Sequence, residues 1–307
     1  MKIAVAGKGG AGKSYVAASL ARLFARECLS GRQTGAAAPR AAYAGQAYAA
    51  GAAAPRTNYT GQVYAVDAAA PRAAYAGQVY AVDVDPCGGL GAALGFTKSE
   101  LDAIKPIVDM REFIDTGEDD GALYLSESAG DGMDAQFSAD ADGVRYLRAA
   151  RIKQAGSGCY CREFGFLQAV IGSMALDERD TLILDMGGGV EPLTRGTVKG
   201  ADILLAVAEA TRAGIETARA VRSLGAELGV GRALIVANKI RNEKEELLIR
   251  ANFRKGELAG LIRMSQAVAD SAFGVNAEHK PPKFAPSPDL EELYRNIKAI
   301  RINSNRR

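Results

Sequence analysis

Apolar residues fall along the chain in short unbroken runs that end in glycines or in a polar residue. Ile3-Ala-Val-Ala6 runs into a glycine-rich stretch. Val79-Tyr-Ala-Val82 and Thr181-Leu-Ile-Leu184 each run into an aspartate, and Ala233-Leu-Ile-Val-Ala237 runs into Asn238-Lys239. Runs without polar alternation predict strands buried on both faces, as in a parallel sheet. Between them the apolar period lengthens. Ser14 to Ala25 has helical spacing, with Cys28 expected to end that helix; Phe164 to Met174 reads as a second helix, and Asp289 to Ile300 as an amphipathic one. Tyr146 to Ile152 reads as a further strand. The alternation predicts an α/β fold: a mostly parallel, doubly wound sheet with helices on both faces, built by residues 1–307 as one domain.

One stretch interrupts the pattern. Ala-Ala-Ala-Pro-Arg occurs at 36–40, 52–56 and 68–72, a period of 16, and Gly-Gln follows it each time. Units this short and this rich in alanine have little to bury. Residues 31–78 are therefore expected to be a tandem insertion between the first helix and the second core strand. Removing three units of 16 residues would bring the end of the first helix to Val79 through a loop of ordinary length. Whether the earlier copies pair as extra strands is left open by the sequence.

The glycine-rich stretch carries the first chemistry. Gly7-Lys8-Gly9-Gly10-Ala11-Gly12-Lys13-Ser14 fits Gly-x-x-x-x-Gly-Lys-[Ser/Thr] without a gap, between a predicted strand and a predicted helix. That is the context a P-loop requires. Its glycines let backbone N–H groups turn inward around phosphates, and the following helix points its positive end at them. Lys13 would reach the β- and γ-phosphates of ATP, and the Ser14 hydroxyl would ligate Mg²⁺.

Composition narrows the partners. A net charge of +2 gives no electrostatic footprint for nucleic acid, and no apolar stretch approaches a membrane span. With the first strand starting at the N-terminus there is no room for a signal peptide. Four cysteines without an export signal then fit the reducing cytoplasm, where close cysteines point to metal or redox chemistry more than to a structural disulfide.

The second lysine of the loop, Lys8, goes beyond the ordinary P-loop. Lys-Gly-Gly-x-Gly-Lys-Ser resembles the deviant Walker A motif of the MinD/ParA, nitrogenase iron protein and ArsA ATPases, with Tyr15 where the family usually has Thr or Ser. The resemblance implies a homodimer in which Lys8 contacts the nucleotide of the other subunit. It also implies that Asp85, with Asp83 as the alternative, orients the attacking water at switch I. Asp185, before Gly187-Gly-Gly189, would hold Mg²⁺ through water where Walker B meets switch II. Asn238 would read the adenine edge, with Lys239 beside it; Arg241 stands where guanine-specific enzymes place an aspartate.

Cys159-Tyr-Cys161 adds a second chemistry. Two thiolates one residue apart do not enclose a metal tetrahedrally, whereas two such pairs brought together by a twofold axis would. Thiolate softness suits Zn²⁺, Ni²⁺ or Cu⁺. The surroundings, Gly158-Cys-Tyr-Cys161, then Leu184-Asp-Met-Gly-Gly-Gly-Val-Glu-Pro-Leu-Thr-Arg195, then Glu209-Ala-Thr-Arg-Ala-Gly-Ile-Glu216, resemble CooC-type proteins. The resemblance implies a cytoplasmic ATPase that assists nickel insertion into apo-carbon monoxide dehydrogenase or a related enzyme, with Zn²⁺ or Ni²⁺ shared by Cys159 and Cys161 of two subunits. This sequence departs from that pattern at Arg162, Gly187, Gly188 and Pro192. Three rivals share the nucleotide motifs: a ParA/MinD partition or positioning ATPase, an iron-protein-like Fe–S reductase, and a nucleotide-binding relic disrupted by the insertion. The acidic start of the helix beginning at Asp289 favours packing on the domain over lipid, and the closeness of the cysteine pair disfavours the reductase.

Overall fold

In the computed structural model, which describes residues 1–33, 48–49, 77–86, 88–116, 122–125, 136–151, 165–168, 170–171, 176–190, 193, 198–266 and 284–304, the apolar runs become neighbours in one sheet. The strands are β1 (Lys2–Gly7), β3 (Val79–Asp83), β6 (Ser138–Ala141), β7 (Val144–Arg148), β8 (Thr181–Asp185), β9 (Ile203–Ala208), β10 (Arg232–Ile240) and β11 (Leu258–Arg263). Their order across the sheet is β11-β10-β9-β1-β8-β3-β7-β6. Pairings from β11 to β7 are parallel, and only β6 runs antiparallel, as a hairpin partner of β7.

Covering on both faces explains the unbroken runs. Along β1, Ile3 and Val5 pack into one layer with α1 (Lys13–Gln33) and α6 (Pro288–Ser304). Ala4 and Ala6 pack into the opposite layer with α4 (Arg212–Glu227), whose Ile215, Ala218 and Val221 are buried there. The doubly wound sheet is thus the observed fold.

Helix α6 behaves as its acidic start implies. Leu290, Leu293 and Ile297 are at most 1% exposed against β11 and α1, each contributing about 1.5–3 kcal/mol by burial. Asp289 accepts from Arg263 N and pairs with its guanidinium at 2.8 Å. Helix α1 runs on to Gln33, five residues past Cys28.

A second sheet of three strands lies outside the main one: β2 (Tyr48–Ala49), β5 (Ala122–Leu125) and β4 (Ile114–Thr116). Tyr48 and Ala49 belong to the first repeat copy and pair antiparallel with Leu123 and Ala122, so part of that copy does add a strand. The described residues also form α2 (Leu90–Ala93), α3 (Lys98–Ala103), α5 (Glu243–Asn252) and short 3-10 turns at Ile107–Phe113 and Lys255–Glu257. Among the described residues, no helix is long and apolar enough to cross a membrane.

Candidate functional site

The C-terminal ends of β1, β3, β8 and β10 converge on one edge of the sheet, where open α/β folds bind ligands. The loop from Gly7 to Gly12 follows β1 and enters α1, and Lys8, Gly9 and Gly10 are exposed. The first intrahelical bond is Val16 N to Gly12 O, 3.1 Å. The N–H groups of Lys13, Ser14 and Tyr15 therefore precede the helical ladder and remain as first-turn donors for an anion. Lys13 is 9% exposed and bends back so that its Nζ donates to Lys8 O at 3.4 Å. Tyr15 packs its ring on the core and directs its hydroxyl to Ser19.

Gly12 shows why the loop needs that residue type. Its φ is +90°, and a β-carbon would stand 2.3 Å from Asn238 Nδ2. Asn238 is 4% exposed, and its Nδ2 donates to Ala11 O at 2.8 Å. A carbonyl only accepts, so the amide nitrogen has to face Ala11 and Oδ1 has to face away. Lys239 Nζ donates to Gly10 O at 2.6 Å. From the switch II side, Gly189 N donates to Gly7 O at 3.0 Å, tying the segment after β8 to the loop.

Asp83 and Asp185 form the acidic part of the site. They are register partners on adjacent strands and are 2% and 1% exposed. Asp83 Oδ2 accepts from Gly89 N and Leu90 N, each at 3.1 Å, and from the Tyr146 hydroxyl at 3.4 Å. Asp83 Oδ1 and both oxygens of Asp185 are buried without a well-formed hydrogen bond. Burial pushes the Asp83 carboxyl up to about 6, with its backbone donors opposing the rise. Burial, then the charge of Asp83, pushes Asp185 up to about 7, opposed by the nearby Ser14 hydroxyl and Lys13. Asp85 lies half-buried in the turn after β3 and adds to the negative field on both.

Unpartnered buried carboxylate oxygens beside a serine hydroxyl are the donors a hard divalent cation takes, so the residues fit Mg²⁺. No group of three or more His, Cys, Asp or Glu among the described residues stands ready to hold an ion by itself. The remaining ligands would have to be phosphate oxygens and water.

The structure thus brings Gly7 to Tyr15, Asp85, Asp185, Asn238 and Lys239 to one sheet edge. Cys159 and Cys161 lie outside the described residues, as do Cys87, Arg162, Pro192 and His279. Sequence reasoning missed Tyr146 and Glu209, the latter an acceptor for Lys239 at 3.0 Å. Glu209 carried a signal, since it directly follows the apolar run of β9, as Asp185 closes that of β8.

No family model matches the chain. It is 28% identical over 194 residues to the carbon monoxide dehydrogenase accessory protein CooC of Rhodospirillum rubrum, covering 61% of this chain and 74% of that protein. It is 24% identical over 306 residues to an uncharacterised ATP-binding protein of Methanocaldococcus jannaschii, covering 97% of both. Among solved structures, a plasmid partition protein of Borrelia burgdorferi bound to AMPPNP superposes with a TM-score of 0.58 at 12% identity, over 99% of this chain and 98% of that one. A chain of the MinC:MinD cell division protein complex of Aquifex aeolicus gives 0.55 at 15% identity, over 97% and 95%. The two structures speak for the fold alone, and the sequence relatives and the complete loop for the activity: the chain is a P-loop ATPase that is similar in sequence to CooC and shares its fold with the plasmid partition protein and the MinC:MinD complex.

Proposed function

We propose that this ATPase works as a homodimer that assists nickel insertion into an apo-enzyme of the carbon monoxide dehydrogenase class. The observation that carries the proposal is the match to CooC across most of that protein's length. The Cys159-Tyr-Cys161 pair supports it.

The residues divide the work by position. The first-turn N–H groups and Lys13 would hold the triphosphate, Lys13 exchanging Lys8 O for phosphate oxygens. Asn238 Oδ1, turned away from Ala11, would accept from the adenine amino group, which guanine lacks at that edge. Ser14 and Asp185 would hold Mg²⁺, whose charge would neutralise that of the β- and γ-phosphates. Asp85 would orient the attacking water. Lys8, exposed on the loop, would reach the partner subunit's nucleotide and neutralise charge developing on the transferred phosphoryl group.

The cargo ion would be shared by Cys159 and Cys161 of both subunits, held when ATP closes the dimer and loosened after hydrolysis. Strand β7 supports such coupling. Its last residue, Arg148, is the register partner of Asp83, and Cys159 follows it eleven residues later in the sequence. Metal analysis of the full-length protein with and without ATP tests the reading. One Zn²⁺ or Ni²⁺ per two chains, lost in Cys159→Ala, is expected; unchanged metal in the variant, or an iron–sulfur absorption spectrum, would refute it.

A further inference from the structure

Strand β10 meets the phosphate-binding loop through two consecutive side chains. Neighbours on an extended strand point to opposite faces, so Asn238 and Lys239 would not normally reach one target. Here Lys239 has φ +60°, and the β10–β11 register shifts between Ala237 and Ile240. An irregularity of this kind re-aims a side chain. Asn238 takes the carbonyl of Ala11 and Lys239 takes that of Gly10, the residue before it. Lys239 Nζ is held in turn by Glu209 Oε1 at 3.0 Å. A left-handed lysine is unfavourable for its β-carbon, and such strain collects at functional sites.

We infer that Lys239 and Glu209 are positioning residues that preset the phosphate-binding loop before nucleotide arrives. A trans peptide unit is planar, so a C=O and the N–H that follows it point in opposite directions. With Ala11 O drawn outward to Asn238, the Gly12 N–H faces the cradle. With Gly10 O drawn outward to Lys239, the Ala11 N–H faces the loop interior, where it donates to Lys8 O at 3.2 Å. Glu209 keeps the ammonium group on the outer rim, so that it fixes the loop rather than competing for phosphate. The pair is partly exposed, at 41% and 25% for the two side chains, so it serves direction more than stability. A loop ordered in advance binds more tightly because less ordering remains to be done on binding.

The inference rests on ATP binding at this loop, and the test separates the two. Full-length parent, Lys239→Gly, Glu209→Gln and the double variant are titrated with a non-hydrolysable ATP analogue and Mg²⁺, and their steady-state turnover and Tm are measured. Glycine accepts the left-handed backbone, so Lys239→Gly should keep or raise Tm. Its Kd and its KM for ATP should rise about tenfold while kcat changes by less than about threefold. Glu209→Gln should weaken binding by about threefold, and should add nothing in the Lys239→Gly background. Unchanged affinity in Lys239→Gly, or full additivity in the double variant, would overturn the clasp. A parent that binds no analogue would overturn the nucleotide site and the clasp with it.

Discussion

Asp83 and Asp185 stand side by side at the ends of neighbouring parallel strands, both buried, with one carboxylate oxygen of Asp83 and both of Asp185 lacking a well-formed hydrogen bond. Two such groups disfavour each other's ionisation, and burial disfavours both. An arrangement costly for the empty protein is favourable once a cation and a triphosphate arrive, which is why the pair reads as binding machinery rather than as core.

A pH dependence follows. The carboxyls sit near 3.8 when unfolded, and folding raises Asp83 to about 6 and Asp185 to about 7. The native state therefore binds more protons, and stability falls as pH rises through that window. Thermal unfolding of the nucleotide-free protein in chelator should show Tm declining between about pH 4 and pH 7 on account of this pair. Asp185→Asn should flatten the decline and raise Tm above pH 7 by about 2–4 °C or more, while lowering ATP turnover at least about 100-fold. An unaltered slope in the variant would contradict the account.

Two loop glycines should fail in different ways. A β-carbon at Gly7 would stand 2.4 Å from Val207 O, a backbone atom of the central sheet, so Gly7→Ala should lower stability, with Tm down by about 5 °C or more. A β-carbon at Gly12 would strike the Asn238 side chain, which has room to give only by releasing Ala11. Gly12→Ala should weaken ATP-analogue binding at least about tenfold with a smaller effect on Tm. Calorimetry of both variants distinguishes the outcomes.

The fixed orientation of the Asn238 amide should show in base choice. ATP should compete off a fluorescent adenine analogue at least about tenfold better than GTP does. In Asn238→Leu the preference should shrink and affinity for both should fall, because the Ala11 carbonyl loses its donor as well. Equal competition by GTP in the parent would sink the assignment.

The two loop lysines should separate binding from turnover. Lys13→Ala should lose triphosphate affinity. Lys8→Ala should keep Kd within about threefold yet lose turnover by about a thousandfold, the range of an arginine finger supplied in trans. A Lys8→Ala protein with parental turnover would leave no role for that lysine across an interface.

Much of this site was legible because its strands are unbroken apolar runs with a polar residue at the end. Ile3–Ala6, Val79–Val82 and Thr181–Leu184 are covered on both faces, so each run announced a buried strand and each terminal residue a place on the ligand edge. Lys239 and Glu209 were harder to read. Their meeting depends on a register shift and a left-handed residue at the end of β10, and neither leaves a trace in hydrophobic period. The pairing of Asp83 with Asp185 was hidden too, since it comes from the register of β3 against β8 rather than from order along the chain. The antiparallel β6 was equally silent: Ser138–Ala141 has no large apolar residue and owes its strand to the neighbouring β7.

The central claim is that the protein acts as a nucleotide-closed pair. Light scattering of the full-length protein saturated with a non-hydrolysable ATP analogue and Mg²⁺ tests it most directly. The account predicts the mass of two chains with the analogue and of one without it; a species that stays at one chain when saturated would contradict it.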